Sequence, residues 1–123
     1  MRLSFVKLNV EQMEPALAFW QEAFGFELVK TFDEDHFLEH ILALPGEGPS
    51  MDLMLVRHKD GRRIETGNGY GPVGLVCDDI EAAHGKAIAC GALETLAIFE
   101  VAGMKVSILV SPQGHEIELL QRL

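Results

Sequence analysis

Residues 111–119 read Ser111-Pro112-Gln113-Gly114-His115-Glu116-Ile117-Glu118-Leu119. Ser-Pro-Gln-Gly is turn chemistry, because proline fixes one φ and glycine tolerates a left-handed one, and strand alternation begins directly after it. A strand is therefore expected over Glu116–Gln121. On the N-terminal side of the turn lie strand patterns near Met104–Val110 and Leu93–Phe99. Before them comes a helix over Ile80–Cys90, with Asp78 or Asp79 as its cap and Gly91 as its left-handed stop. A strand over Pro72–Cys77 opens this half of the chain.

The first half repeats the order. Leu3–Val10 alternates strictly, with Val6, Leu8 and Val10 on one face and Phe5, Lys7 and Asn9 on the other. A helix follows: Pro15 suits its first turn, Met13, Ala16, Leu17, Trp20 and Phe24 recur at spacings of three and four, and Gly25 stops it. Three strands are expected over Phe26–Phe32, His36–Leu44 and Met51–Arg57, with a turn at Pro45–Ser50 before the last. The halves align by spacing: Val6-Lys7-Leu8 with Val73-Gly74-Leu75, Gly25 with Gly91, His40-Ile41-Leu42 with Ser107-Ile108-Leu109, and Leu53-Met54-Leu55 with Ile117-Glu118-Leu119. The expected fold class is α+β, one domain of two βαβββ modules, about 1–57 and 72–123, joined by a loop over 58–71. The competing reading is an ordinary α+β sandwich without internal symmetry.

Composition narrows the function. The chain has 123 residues, 48% hydrophobic and 24% charged, with 10 Lys plus Arg against 19 Asp plus Glu and a formal charge of −9. Such a chain can bury a core without staples, and it lacks the basic face that neutralises phosphates. Nucleic-acid and membrane partners are not expected. The N-terminal residues alternate instead of forming the apolar run of a signal peptide, and no stretch approaches a membrane span. Cys77 and Cys90 match no metal or redox spacing and read as reduced thiols of a cytoplasmic protein.

Leu17-Ala18-Phe19-Trp20, Phe24-Gly25-Phe26, Gly71-Pro72-Val73-Gly74-Leu75-Val76 and the 111–119 stretch, in this order, resemble the vicinal oxygen chelate superfamily, which includes glyoxalase I, bleomycin-resistance proteins and extradiol dioxygenases. The resemblance implies two pseudo-symmetric modules whose sheets curve around a cleft, and a homodimer. In the family's metal enzymes the first and fourth strands of each module supply ligands, usually two histidines and two acidic residues, which suit Zn²⁺, Ni²⁺ or Fe²⁺. Carried over, those positions fall on Phe5, Met54, Pro72 and Glu118. Only Glu118 is a metal donor, so no metal and no other cofactor is expected. The histidines do not rebuild a site: His36 and His40 are four strand residues, ~13 Å, apart, and His84 is read as solvent-exposed on its helix.

Strand parity, referred to those positions, places Phe5, Lys7, Asn9, Asp52, Met54 and Val56 on the concave face, with Gly74, Val76, Glu116 and Glu118 from the second module. The repeat alignment adds His40 and Ser107. This is the composition of a small-molecule site, mostly apolar with a few polar groups. Glu118 is read either as a general base or acid, or as the structural partner of Lys7; His40 either as a proton shuttle or as a satisfied half-buried histidine. Arg57, Lys59, Arg62 and Arg63 concentrate four of the basic residues in seven positions. Arg62 and Arg63 are candidates for an anionic ligand, the alternative being a solvated hairpin. The leading expectation is a metal-independent binder of a small organic ligand, as bleomycin-resistance proteins are. The alternative is a glyoxalase-like lyase or isomerase with Glu118 handling the proton; dioxygenase chemistry lacks its iron ligands.

Overall fold

In the computed structural model, which describes residues 1–46, 48 and 50–123, the chain runs β1 (Phe5–Asn9), α1 (Met13–Phe24), β2 (Glu27–Asp33), β3 (Phe37–Ala43), β4 (Asp52–His58), β5 (Val73–Val76), α2 (Ile80–Ala89), β6 (Leu93–Val101), β7 (Met104–Val110) and β8 (Glu116–Arg122). This is βαβββ twice. The strands form two four-stranded sheets, ordered β1-β4-β3-β2 and β5-β8-β7-β6. In each, the first and fourth strands pair parallel and the other neighbours antiparallel. The chain divides into two compact units, Met1–Glu65 and Thr66–Leu123. Of the turn expected over Pro45–Ser50, Glu47 and Pro49 lie outside the described residues.

Local chemistry explains the element ends. Gly25 terminates α1 at φ 78°, and its N–H returns to the Gln21 and Trp20 carbonyls. Gly91 does the corresponding job after α2 at φ 105°. There an added Cβ would also come within 3.2 Å of Pro112 Cγ. Asp79 caps α2 by accepting the Ala82 N–H, whereas Gln12 at the start of α1 makes no side-chain cap. Pro72 precedes β5 instead of opening it, and the strand begins at Val73.

Each helix covers one face of its own sheet. Trp20, Leu42 and Leu55 are fully buried in the first unit, and Ile80, Leu109, Ile117 and Leu119 are within 1% of full burial in the second. Each such side chain contributes about 1.5–3 kcal/mol by leaving water. The first core is aromatic: Trp20 meets Phe19 and Phe26 edge-on, both at 5.6 Å between centroids. The opposite face of each sheet carries no helix, and those two open faces hold the groups considered next.

Candidate functional site

Paired strand residues share a face, so register decides which side chains the open faces carry. In the first sheet one row runs Lys7–Met54–Ile41 and the next runs Asn9–Val56–Glu39–Phe32. Phe5 lies two residues before Lys7 on the same face. The side chains of Phe5, Lys7, Asn9, Met54 and Glu39 therefore belong to one surface, built within one unit.

Glu39 is the residue that sequence reasoning did not single out. It is only 7% exposed and lies beside Val56 at 6%. A carboxylate in such a place is costly unless paired. Lys7 Nζ reaches Glu39 Oε1 at 2.8 Å, and the lysine side chain remains 50% exposed. The same ammonium lies 5.7 Å from the Phe5 ring centroid, within cation–π range. The reading of Glu118 as the structural partner of Lys7 is not met: Lys7 pairs with Glu39, because β3 brings that carboxylate onto the same face. A second amine follows the pattern, with Lys30 Nζ 4.7 Å from the Phe32 centroid.

The open face of the second sheet reads differently. Its rows are Gly74–Glu118–Ile108–Leu96 and Val76–Leu120–Val106–Phe99. Glu118 is half-buried and meets no side chain from Gly74, where even a Cβ would find open space. No side-chain hydrogen bond or ion pair restrains Glu118 among the described residues.

His40 and Ser107 do not join these faces. His40 pairs with Leu55 and Ser107 with Leu119, which places both on the helix-covered sides. The repeat alignment of the two residues was sound, but β3 and β7 present the opposite parity to the one expected. His40 Nδ1 lies 2.9 Å from Thr31 Oγ1. Burial pushes its pKa below 6.5, while Asp33 partly opposes that shift.

Ser107 belongs instead to a hydrogen-bonded chain that runs from the core to the exposed Glu94. His84 Nε2 lies 2.6 Å from Glu94 Oε2, and Nδ1 lies 2.9 Å from Ser107 Oγ. The ring thus links the Ser107 hydroxyl to the Glu94 carboxylate through its two nitrogens. His84 is 6% exposed, contrary to the solvent position expected for it, because small Ser107 leaves room beneath the helix. The order serine, histidine, carboxylate has the connectivity of a nucleophilic triad. Ser107 is 0% exposed, however, so the chain fastens α2 to its sheet and is closed to a substrate.

Two of the four basic residues, Lys59 and Arg62, are committed to neighbouring acids. Arg62 forks onto Asp60, with Nη2 at 2.6 Å and Nε at 3.0 Å, and holds the Asp60 pKa down to about 2. Lys59 pairs with Asp33. Arg63 is exposed. Arg57 pairs in register with Leu38 and so faces the helix side, where both residues line a depression of about 440 Å³ beside the start of α1.

A family model for the Glyoxalase/Bleomycin resistance protein/Dioxygenase superfamily matches residues 2–119. The chain belongs to that superfamily. A lactoylglutathione lyase of Neisseria meningitidis is 28% identical over 99% of this chain and 91% of its own length. One of Salmonella typhimurium is 25% identical over 98% and 93%. Glyoxalase I from Zea mays superposes with a TM-score of 0.87 at 20% identity, covering 98% of this chain and 44% of the maize chain. The chain thus spans less than half the length of that protein.

In the superfamily's metal enzymes the metal is held at the positions that fall here on Phe5, Met54, Pro72 and Glu118. These residues do not fit one. A phenyl ring, a thioether, a proline ring and a single carboxylate do not make a donor set for Zn²⁺, Ni²⁺ or Fe²⁺. Among the described residues, no group of three or more His, Cys, Asp or Glu side chains is placed to hold a metal ion. No helix among the described residues is long and apolar enough to cross a membrane.

Proposed function

We propose that this superfamily member binds a small organic ligand without the family's metal quartet. The reading is carried by the side chains at the metal positions, three of which are Phe5, Met54 and Pro72. Phe5 and Met54 offer adaptable apolar contact surface where ligands to a cation would stand. The rest of the first sheet's open face supports it: Ile41, Val56 and Phe32 add apolar surface, and Lys7, Asn9, Glu39 and Asp52 are polar groups that would orient a ligand. Arg62, with its guanidinium already forked onto Asp60, is less suited to an anion than Lys7 is.

The test is a thermal-shift screen of small organic acids, amines and glutathione conjugates, each run with and without EDTA. A native-state ligand raises the melting temperature by mass action. The expected result is a concentration-dependent rise that EDTA leaves unchanged. A rise seen only without EDTA, or only after adding Ni²⁺ or Zn²⁺, contradicts the reading.

A second reading is favoured by Glu118 and by the names of the relatives. Glu118 occupies a matching family position, is half-buried and is unrestrained by a partner, so it is available to move a proton. In this reading the chain is a glyoxalase-like lyase or isomerase with Glu118 as base. It requires turnover of a hemithioacetal that Glu118→Gln abolishes; turnover indifferent to that substitution removes the named base.

A further inference from the structure

We infer that Lys7, held in place by Glu39, is the anchor for an acidic oxygen of the ligand, and that the ligand class is a small organic acid with an apolar body. The inference rests on the metal-independent reading above and adds the chemistry that takes over the role of a positive centre. Lys7 stands beside both non-ligating positions of the first module. It is two residues from Phe5 on β1, in direct register with Met54 on β4, and its ammonium lies 5.7 Å from the Phe5 ring.

The sign of the ligand's charge follows from accessibility. Glu39 is the inner member of the ion pair, with a side chain 9% exposed against 50% for Lys7. The ammonium has three donors and stands 2.8 Å from Glu39 Oε1 in an ion pair that leaves the lysine side chain half-exposed, so donors remain for a ligand. An organic cation beside Lys7 would have to take Glu39 from it and leave that ammonium unpaired; another carboxylate of this face, Asp52, is in register with Phe5, two rows away from Glu39. A carboxylate oxygen only has to complete the hydrogen bonds of a group that is already half-exposed. Phe5, Met54 and Ile41 surround the anchor with apolar surface for the rest of the ligand, and Lys30 adds a second positive charge on the same face. Glu39 acts here as a positioning residue.

Phenylacetate and phenethylamine, which share an aromatic body and carry opposite charges, serve as probes. Both are titrated into the full chain, with Lys side chains labelled at Cε and followed by NMR. Phenylacetate is expected to bind saturably and shift the Lys7 resonance, and phenethylamine to leave it in place. Lys7→Met is expected to weaken phenylacetate by about tenfold or more, the size of one charge-assisted hydrogen bond, and Lys7→Arg by no more than about threefold. Glu39→Gln is expected to sharpen the Lys7 resonance and move it toward those of the unpaired lysines as the amine loses its fixed position, a change that loss of stability alone does not produce. If Lys7→Met does not fold because Glu39 is left unpaired, the double variant Lys7→Met/Glu39→Leu replaces it and is expected to show the same loss. Equal phenylacetate affinity with and without Lys7, no saturable phenylacetate binding, or phenethylamine releasing Lys7 from Glu39 would each overturn the inference. An EDTA arm separates the two levels. Binding abolished by EDTA defeats the metal-independent reading itself, whereas EDTA-resistant binding that ignores Lys7 defeats only the anchor.

Discussion

On the open face of the first sheet a row runs Lys7–Met54–Ile41; on the second the equivalent row runs Gly74–Glu118–Ile108. One row along, Asn9–Val56–Glu39 corresponds to Val76–Leu120–Val106. The backbone register is the same in both modules and the chemistry is not. The first module buries its acid and ties it to an exposed amine. The second keeps its acid half-exposed, opposite a glycine and among apolar side chains that include Val76 at 66% and Phe99 at 41% exposure. Duplicated architecture fixes where a polar group can stand without fixing which group stands there, so a role inferred for one module does not transfer to the other.

The shared part of the comparison is tested by the cores. Leu55 and Leu119 are equivalent and buried, at 0% and 1% exposure. Leu55→Ala and Leu119→Ala should each cost about 2–5 kcal/mol in denaturant unfolding. A large asymmetry would show that the two cores do not support the fold alike. On the helix side the modules should diverge. His84→Ala opens a cavity and strands the buried Ser107, with an expected loss of about 2–3 kcal/mol. His40→Ala, at a half-exposed site, should cost visibly less in the same assay.

The open faces give the next largest effect. Lys7→Met leaves a buried carboxylate without its partner, and because the lysine is half-exposed the expected loss is about 1–2 kcal/mol, well short of a fully buried pair. Adding Glu39→Leu should recover most of it. Gly74→Lys, which meets open space, should fold normally and leave stability within about 0.5 kcal/mol. The helix starts differ by a cap. Asp79→Ala should destabilise by about 1 kcal/mol, whereas Gln12→Asp should stabilise by a fraction of that, because Gln12 has the extended backbone of a cap at φ −128° and ψ 117° but no capping bond.

The smallest effect is in pH. His40 has its pKa lowered in the folded chain, chiefly by burial, so the unfolded chain binds the extra proton first. Its contribution to stability is complete above the unfolded value near 6.5 and falls as pH drops through the lower folded value. Asp60, held at about 2, contributes above the ordinary carboxylate range and loses that contribution only as pH falls toward 2. NMR titration of the two side chains checks both midpoints, and His40 titrating above 6.5 would reverse the first sign.

Much of this was legible in the residues. Turn chemistry at Ser111–Gly114, the glycine stops at Gly25 and Gly91, and spacing placed every strand and helix within two residues of its ends and matched Lys7 with Gly74 and Met54 with Glu118. The phase of the inner strand was not legible. Phe37-Leu38-Glu39-His40-Ile41-Leu42 is apolar on both faces, so alternation does not say whether Glu39 or His40 faces the helix; only pairing with β4 decides. The Lys7–Glu39 pair was hidden for the same reason. The burial of His84 is not legible because α2 is mostly small residues, with Ile80 and Ile88 one turn to either side, and it depends on a serine in a strand 23 residues away.

The claim that the first module has exchanged metal donors for apolar surface and a fixed ammonium is tested most directly by elemental analysis. The full chain is incubated with Ni²⁺, Zn²⁺ and Fe²⁺ in turn, separated from free ion, and measured for metal per chain. The account expects only trace metal in every case, and close to one ion per chain would contradict it.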